Sequence, residues 1–287
     1  MKRVLVTGGA GFIGSHLCER LATEGHNVIS LDDYSTGSEA NHVPSVDYRK
    51  GSTKDISALI PEQIDLVFHL GEYARVEQSF TNVARVLESN TQGTQAVLEF
   101  VRINRPKLVY AGSSTKFADG GIGRDQSPYA WTKASNTELV RNYGEWFDIE
   151  YAITYFYNVY GPRERGDSET GTLIGIFAEK MRRGEKLTVR KPGTQKRNFT
   201  HVYDIVDGLI RVGERGHGDE YGLGHPDAYS IVDVASMFGG EIEYLEERPG
   251  NRSTARVETD RATLELNWQP MRTLPEYINA MKSNIKI

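Results

Sequence analysis

Short apolar runs alternate with longer amphipathic segments over the first half of the chain. Residues 4–7, 27–32, 65–70, 107–112 and 150–156 are rich in Val, Ile, Leu and aromatics, and their length and composition predict strands. Between them, 13–24, 82–104 and 127–147 carry apolar positions at helical spacing and predict helices. Strands that alternate with helices need right-handed crossovers, so the pattern predicts an α/β fold on a doubly wound parallel sheet covered on both faces. From about residue 161 the rhythm breaks. Gly and Pro become frequent, charges cluster at 163–167, 182–186 and 241–248, and strands are short and isolated. A smaller mixed α/β C-terminal domain is expected there, with 199–212 returning to the first domain as a strand and a helix. The expected division is 1–160 plus about 198–215 against 161–197 plus about 216–287.

Composition narrows the function classes. The 287 residues are 38% hydrophobic and 25% charged, with a net charge of −5, which argues against a broadly basic nucleic-acid surface. The one cysteine, Cys18, has no intramolecular disulfide partner, which fits a reducing cytoplasm. No apolar run reaches the ~20 residues of a membrane span. A soluble cytoplasmic protein is expected, with neither nucleic acid nor membrane as partner.

Candidate chemistry begins just after the first strand. Gly8, Gly9, Gly11 and Gly14 follow Val4–Leu5–Val6–Thr7 and lead into the first helix. In a Rossmann-type sheet such glycines serve a tight turn, close approach of a pyrophosphate, and helix–strand packing. Free N–H groups and the positive end of the helix dipole then face the phosphates. Asp32 ends the second strand about twenty residues further on, where a carboxylate accepts from the adenosine ribose. An acid there also repels a 2′-phosphate, so NAD is expected rather than NADP. Asp33 stands beside it.

Tyr129 and Lys133 in "SPYAWTK" are one helical turn apart on the same face. The preceding strand "KLVYAGSS" ends in hydroxyl residues at the carboxyl edge of the sheet, where ligands sit in such folds. Phenol, ammonium and hydroxyl would then meet one substrate oxygen. A free tyrosine ionises at about 10, and a close ammonium with a cationic nicotinamide favours the phenolate. Tyr129 would remove a hydroxyl proton as hydride leaves the same carbon, and Ser113 would hydrogen-bond the oxygen as it becomes a carbonyl.

With these residues in place, the chain resembles the extended short-chain dehydrogenase/reductases, specifically the NAD-dependent nucleotide-sugar epimerase/dehydratase family typified by UDP-glucose 4-epimerase. "VTGGAGFIGSHL", "LDDYSTG", "VFHL", "NTQGTQAVLEF", "SPYAWTK", "NVYGPR", "RNFTHVYD" and "ERPG" occur in that family's order over nearly the whole length. The resemblance implies a catalytic trio of Ser113, Tyr129 and Lys133. It implies cofactor contacts from Gly8, Gly11, Phe12, Ile13, Gly14, Asp32, Asp33, Leu70, Asn90, Tyr129, Lys133 and Phe156, with Tyr157 also beside the nicotinamide. Substrate contacts would come from Ser113, Ser114, Thr115, Asn158, Arg197 and Arg248, the two arginines on the diphosphate. Asp204 is expected to order its own helix start. No metal is implied.

The expected activity is epimerisation of a nucleotide sugar, most simply at C4 of a UDP-hexose, by transient oxidation to a 4-keto sugar and return of hydride to the opposite face. A nucleotide-sugar dehydrogenase or 4-keto reductase is the alternative on the same scaffold, followed by a 4,6-dehydratase and a non-catalytic NAD-binding protein. The family's dehydratases carry Asp-Glu where this chain has Ser114 and Thr115, which disfavours dehydration. Other departures are Gly71-Glu72 in place of two Ala, Ser52 where Asp is frequent, and Tyr155 in place of an Arg. Glu72 either brings an ionisable group to the cofactor or pairs with Arg75. A homodimer is expected by resemblance, through the helices at 82–104 and 127–147. Their apolar positions Val83, Val86, Leu87, Val97, Leu98 and Val101 would serve equally for packing on the sheet.

Overall fold

The computed structural model describes residues 1–114, 123–167, 170–246 and 257–284. Its strands are β1 (Arg3–Thr7), β2 (Asn27–Asp32), β3 (Val46–Lys50), β4 (Leu66–His69), β5 (Lys107–Ser113), β6 (Tyr151–Phe156), β7 (Val159–Tyr160), β8 (Leu187–Arg190), β9 (Lys196–Asn198), β10 (Thr200–His201), β11 (Gly218–Leu223), β12 (Ala228–Ser230) and β13 (Ile242–Leu245). Seven of them form one sheet in the order β11-β6-β5-β4-β1-β2-β3, and every pairing within it is parallel. The chain starts at β1, winds out to β3, then crosses to β4 and winds the other way. That reversal opens a crevice at the carboxyl ends of β1 and β4.

Alternation along the strands builds a core on each face of the sheet. Val4, Val6, Leu66, Phe68 and Val109 belong to one buried cluster, and Leu5, Val67, Leu108 and Tyr110 to the other. Helix α1 (Phe12–Thr23) covers the first face with Leu17, Cys18 and Leu21. Helices α2 (Gly93–Asn104) and α3 (Pro128–Phe147) cover the second with Val97, Leu98, Val101 and Val140. A third cluster, including Tyr160, Ile174, Phe177, Val189, Phe199, Val234 and Ile278, is the core of the C-terminal region. Among the described residues no helix is long and apolar enough to cross a membrane.

Several elements depart from the expectation. The helix expected over 82–104 is divided into Val83–Val86, a π-helical stretch Leu87–Gln92, and α2. β3 was not anticipated, because only Val46 in "VDYRK" is buried on this edge strand. Residues 199–212 supply β10 and most of helix α4 (Val202–Arg215), but β10 pairs with β7 outside the central sheet. The seventh strand is instead β11, beyond residue 215, whose "GDEYGL" lacks the apolar alternation of a strand. Asp204 does not cap its own helix, since the His201 ring accepts from Tyr203 N–H at 3.2 Å. Its buried carboxylate accepts instead from Met271 N–H (3.1 Å), Arg272 N–H (3.0 Å) and Arg272 Nη1 (2.6 Å), tying the C-terminal segment to α4.

Candidate active site

The turn after β1 is built from backbone alone. Gly8 has φ +75°, in the left-handed region that favours glycine, and its N–H donates to Leu31 O at 2.8 Å. A Cβ on Gly14 would lie 2.1 Å from Gly8 O, 2.8 Å from Gly8 C and 2.9 Å from Gly9 Cα. Gly11 is the N-cap of α1 and offers no side chain to its amides, and no acid stands in the first turn. The amides of this helix start are therefore left for an anionic ligand.

Asp32 ends β2 across the same crevice. Its carboxylate accepts from Ala10 N–H at 3.0 Å and Tyr34 N–H at 2.8 Å. Burial pushes its pKa up, against the pull of those two N–H donors. Gly37 closes over it, since a Cβ there would meet Asp32 Oδ1 at 2.8 Å. Both structural donors are spent on the loop, yet the carboxylate still lines the cavity and keeps lone pairs for a ribose. In Asp32→Asn the charge is lost and only one of the two loop N–H donors keeps its acceptor. NAD affinity should fall about 10- to 100-fold and discrimination against NADP should weaken, both measurable by calorimetry.

One cavity of about 620 Å³ runs from this turn to the carboxyl ends of β5 and β6, within the usual size of a small-molecule site. Gly8, Gly11, Phe12, Ile13, Gly14, Asp32, Asp33 and Leu70 line one part of it, and Tyr129, Lys133, Phe156 and Asn158 another. A cradle that a Cβ would fill, an uncapped helix start and a buried acid on the next strand suit a dinucleotide.

Helix α3 presents the reacting groups. Ser127 caps it by accepting from Ala130 N–H at 3.1 Å, and Pro128 occupies the first turn. Tyr129 Oη then donates to Ser113 Oγ, at the end of β5, across 3.5 Å. One turn on, buried Lys133 Nζ donates to Ala111 O and to Glu72, and lies 4.6 Å from the Tyr110 ring centroid. Glu72 thus pairs with Lys133, on another element, and not with its sequence neighbour Arg75.

Glu72 is the most connected side chain in the site. Its Oε1 accepts from Asn136 Nδ2 (2.7 Å), Thr94 Oγ1 (2.8 Å) and Tyr110 Oη (3.2 Å). Thr94 in turn contacts His69 Nε2 at 2.9 Å, and His69 Nδ1 contacts Thr7 Oγ1 at 2.7 Å. Because Thr7 Oγ1 accepts from Leu70 N–H and Gly71 N–H, its own proton goes to His69 Nδ1. The chain of donors therefore runs one way, from Thr7 through a neutral His69 and Thr94 to Glu72. Burial lowers the His69 pKa to about 4, consistent with a neutral ring. Burial by itself would raise Glu72, but the Lys133 ammonium and the hydrogen-bond donors bring it below its ordinary value.

Other expected contacts fall differently. Asn90 stands behind the wall, gripping Tyr73 through its N–H (2.7 Å) and its C=O (3.1 Å) and reaching Thr132 at 3.0 Å. Tyr157 does not line the cavity; its hydroxyl accepts from Glu258 N–H at 3.1 Å. Neither Ser113 nor Ser114 contributes to the lining, although Ser113 touches Tyr129. Asn158 lines the cavity with φ +35° and donates to Asn198 O at 2.7 Å. Arg197 is away from the lining and donates to Lys196 O at 2.8 Å. Thr115 and Arg248 lie outside the described residues. The sequence missed Arg75, which lines the cavity with its Nε buried and unpartnered among the described residues, and Thr172, which donates to Glu164. Arg75 lies between the predicted strand at 65–70 and helix at 82–104, and sequence offers it only as a partner for Glu72.

Comparison with known proteins places this geometry. A family model described as the NAD dependent epimerase/dehydratase family matches residues 4–224. UDP-glucuronic acid decarboxylase 1 of Xenopus tropicalis is 28% identical over 300 residues, covering 97% of this chain and 70% of that protein. UDP-glucose 4-epimerase of Thermotoga maritima, solved with UDP-glucose, superposes with a TM-score of 0.92 at 24% identity, covering 99% and 100% of the two chains. UDP-glucuronic acid 4-epimerase of Bacillus cereus, solved with UDP-glucuronic acid and NAD, gives 0.89 at 26% identity, covering 99% and 98%. Since the family match runs from β1 into β11 and takes in every residue that lines the cavity, the chain belongs to the NAD dependent epimerase/dehydratase family, and its cofactor is NAD.

Proposed function

We propose that this protein epimerises a nucleotide sugar, most simply at C4 of a UDP-hexose, through a transient 4-keto sugar. The observation that carries the reading is that Tyr129 and Lys133 line the same cavity as the glycine turn and Asp32, with Tyr129 in contact with Ser113 at the end of β5. NAD, when bound, supplies a reversible acceptor for hydride. Tyr129 takes the C4 hydroxyl proton and later returns it. Ser113 hydrogen-bonds the same oxygen as it gains carbonyl character, and Lys133 holds positive charge one helical turn away. Epimerisation needs no further acid or base, in keeping with Ser114 in place of a carboxylate.

The third core cluster supplies the proposed substrate domain, and we read the protein as cytoplasmic. Exposed Phe80, Val83, Leu87 and Trp131 form an apolar hollow beside α3, which supports a homodimer through these helices.

A second reading shares the C4 oxidation but takes an acidic sugar, and one observation favours it. The Arg75 guanidinium belongs to the cavity that Tyr129 also lines, and a fork of that kind suits a substrate carboxylate. A panel of UDP-, GDP- and dTDP-sugars, neutral and acidic, followed by NMR without added NAD, tests both. C4 inversion of a neutral hexose supports the first reading. Loss of carbon dioxide from a uronic acid replaces it with the second, and steady NADH release indicates a dehydrogenase.

A further inference from the structure

We propose that Glu72 is a positioning residue of the reaction: its carboxylate fixes the Lys133 ammonium against the end of β5 and offsets its charge, so that Tyr129 faces a carboxylate–ammonium pair instead of a lone cation. The inference rests on the catalytic reading of Tyr129 and Lys133 given above.

Three observations carry it. Glu72 accepts from four side chains, Lys133, Asn136, Thr94 and Tyr110, and a protonated acid in that position would have to donate to one of them. The one-way donor chain from Thr7 through His69 and Thr94 ends on Glu72, and it closes only on an acceptor. Lys133 gives one N–H to Glu72 and one to Ala111 O, which leaves a single donor for the reaction centre or the nicotinamide ribose. Its direction is therefore fixed by two partners before any ligand binds.

The charges around the pair can be enumerated. His69 on β4 is neutral in the working range, because burial lowers it to about 4. Burial raises Tyr110 on β5 well above its ordinary value, so it stays protonated. Thr94 and Asn136 are uncharged. Among the described residues that line the cavity, the other titratable groups include Tyr129 and Lys133 on α3, and Tyr73, Arg75, Arg85 and Glu88. Removing the negative charge of Glu72 strengthens every neighbouring acid. In Glu72→Gln, both limbs of the pH–rate bell should move to lower pH by about one unit.

The experiment compares wild type, Glu72→Gln and Glu72→Asp. It records the pH–rate profile and, without substrate, the Tyr129 phenolate absorbance isolated by difference from Tyr129→Phe. A downward displacement in Glu72→Gln by both measures, with Glu72→Asp restoring the wild-type limbs, is the expected result. A uniform loss of rate with limbs and phenolate band unmoved would reduce Glu72 to packing and overturn the proposal. A further measurement needs no change at Glu72. In the wild-type protein, ¹⁵N NMR should show a slowly exchanging Lys133 ammonium, assigned by its loss in Lys133→Met, and a rapidly exchanging one would contradict the pairing. Absence of epimerase activity in wild type would remove the functional reading alone, since the phenolate titration and the ammonium signal still judge Glu72.

Discussion

Tyr129→Phe should lower the epimerisation rate by about 10³-fold or more while leaving NAD affinity and the far-ultraviolet circular dichroism unchanged. The substitution deletes one oxygen and keeps the ring, so α3, its Ser127 cap and the Lys133–Glu72 pair have no reason to move. What disappears is the acceptor for the hydroxyl proton. Ser113 is already 3.5 Å from that oxygen. Its hydroxyl is far too weak an acid to replace a phenol, and Lys133 is engaged by Glu72 and Ala111. A drop of only a few-fold, measured by NMR interconversion of the two epimers, would assign proton transfer to another group.

Gly14→Ala should be the most damaging single-methyl change in the cofactor half of the cavity. The new Cβ would fall on three backbone atoms of Gly8 and Gly9, the nearest at 2.1 Å, and backbone has no rotamer by which to withdraw. Either α1 slides away from β1 or the turn opens. Relief of such overpacking costs about 2–4 kcal/mol of stability. The displaced amides should weaken NAD binding about 100-fold. Gly11→Ala is the internal control, because its Cβ would meet only Gly8 O, at 3.1 Å. Calorimetric titration with NAD and thermal melting of both variants check the contrast. Equal effects would mean that the close approach at Gly14 is not what shapes the turn.

Much of the site was legible in the sequence because its parts are local. The glycine turn lies within one strand–helix junction, Asp32 ends the next strand, and Tyr129 and Lys133 share a helix face by spacing alone. Glu72 was recognisable as an oddity, but its partner was not. Lys133 is 61 residues away, whereas Arg75 stood three residues off in a segment that forms no helix. The distinction needed β4 and α3 brought together by the sheet. Asn90 and Tyr157 sit beside cavity residues in sequence, but their side chains turn to Tyr73 and Glu258. Motif spacing fixes a backbone position and leaves the rotamer open. The sequence pattern predicts five strands of the sheet and a sixth from 199–212, but it does not reveal the two outermost, β3 and β11, which mix charge and glycine with few apolar residues, as edges do.

Deuterium placed at C4 of a substrate nucleotide sugar tests the central claim most directly. With no added NAD, the account predicts that the C4 epimer retains the label on the inverted carbon and that no NADH leaves the protein. Product that has exchanged its C4 deuterium for solvent hydrogen, or inversion that persists in Tyr129→Phe at the wild-type rate, would contradict it.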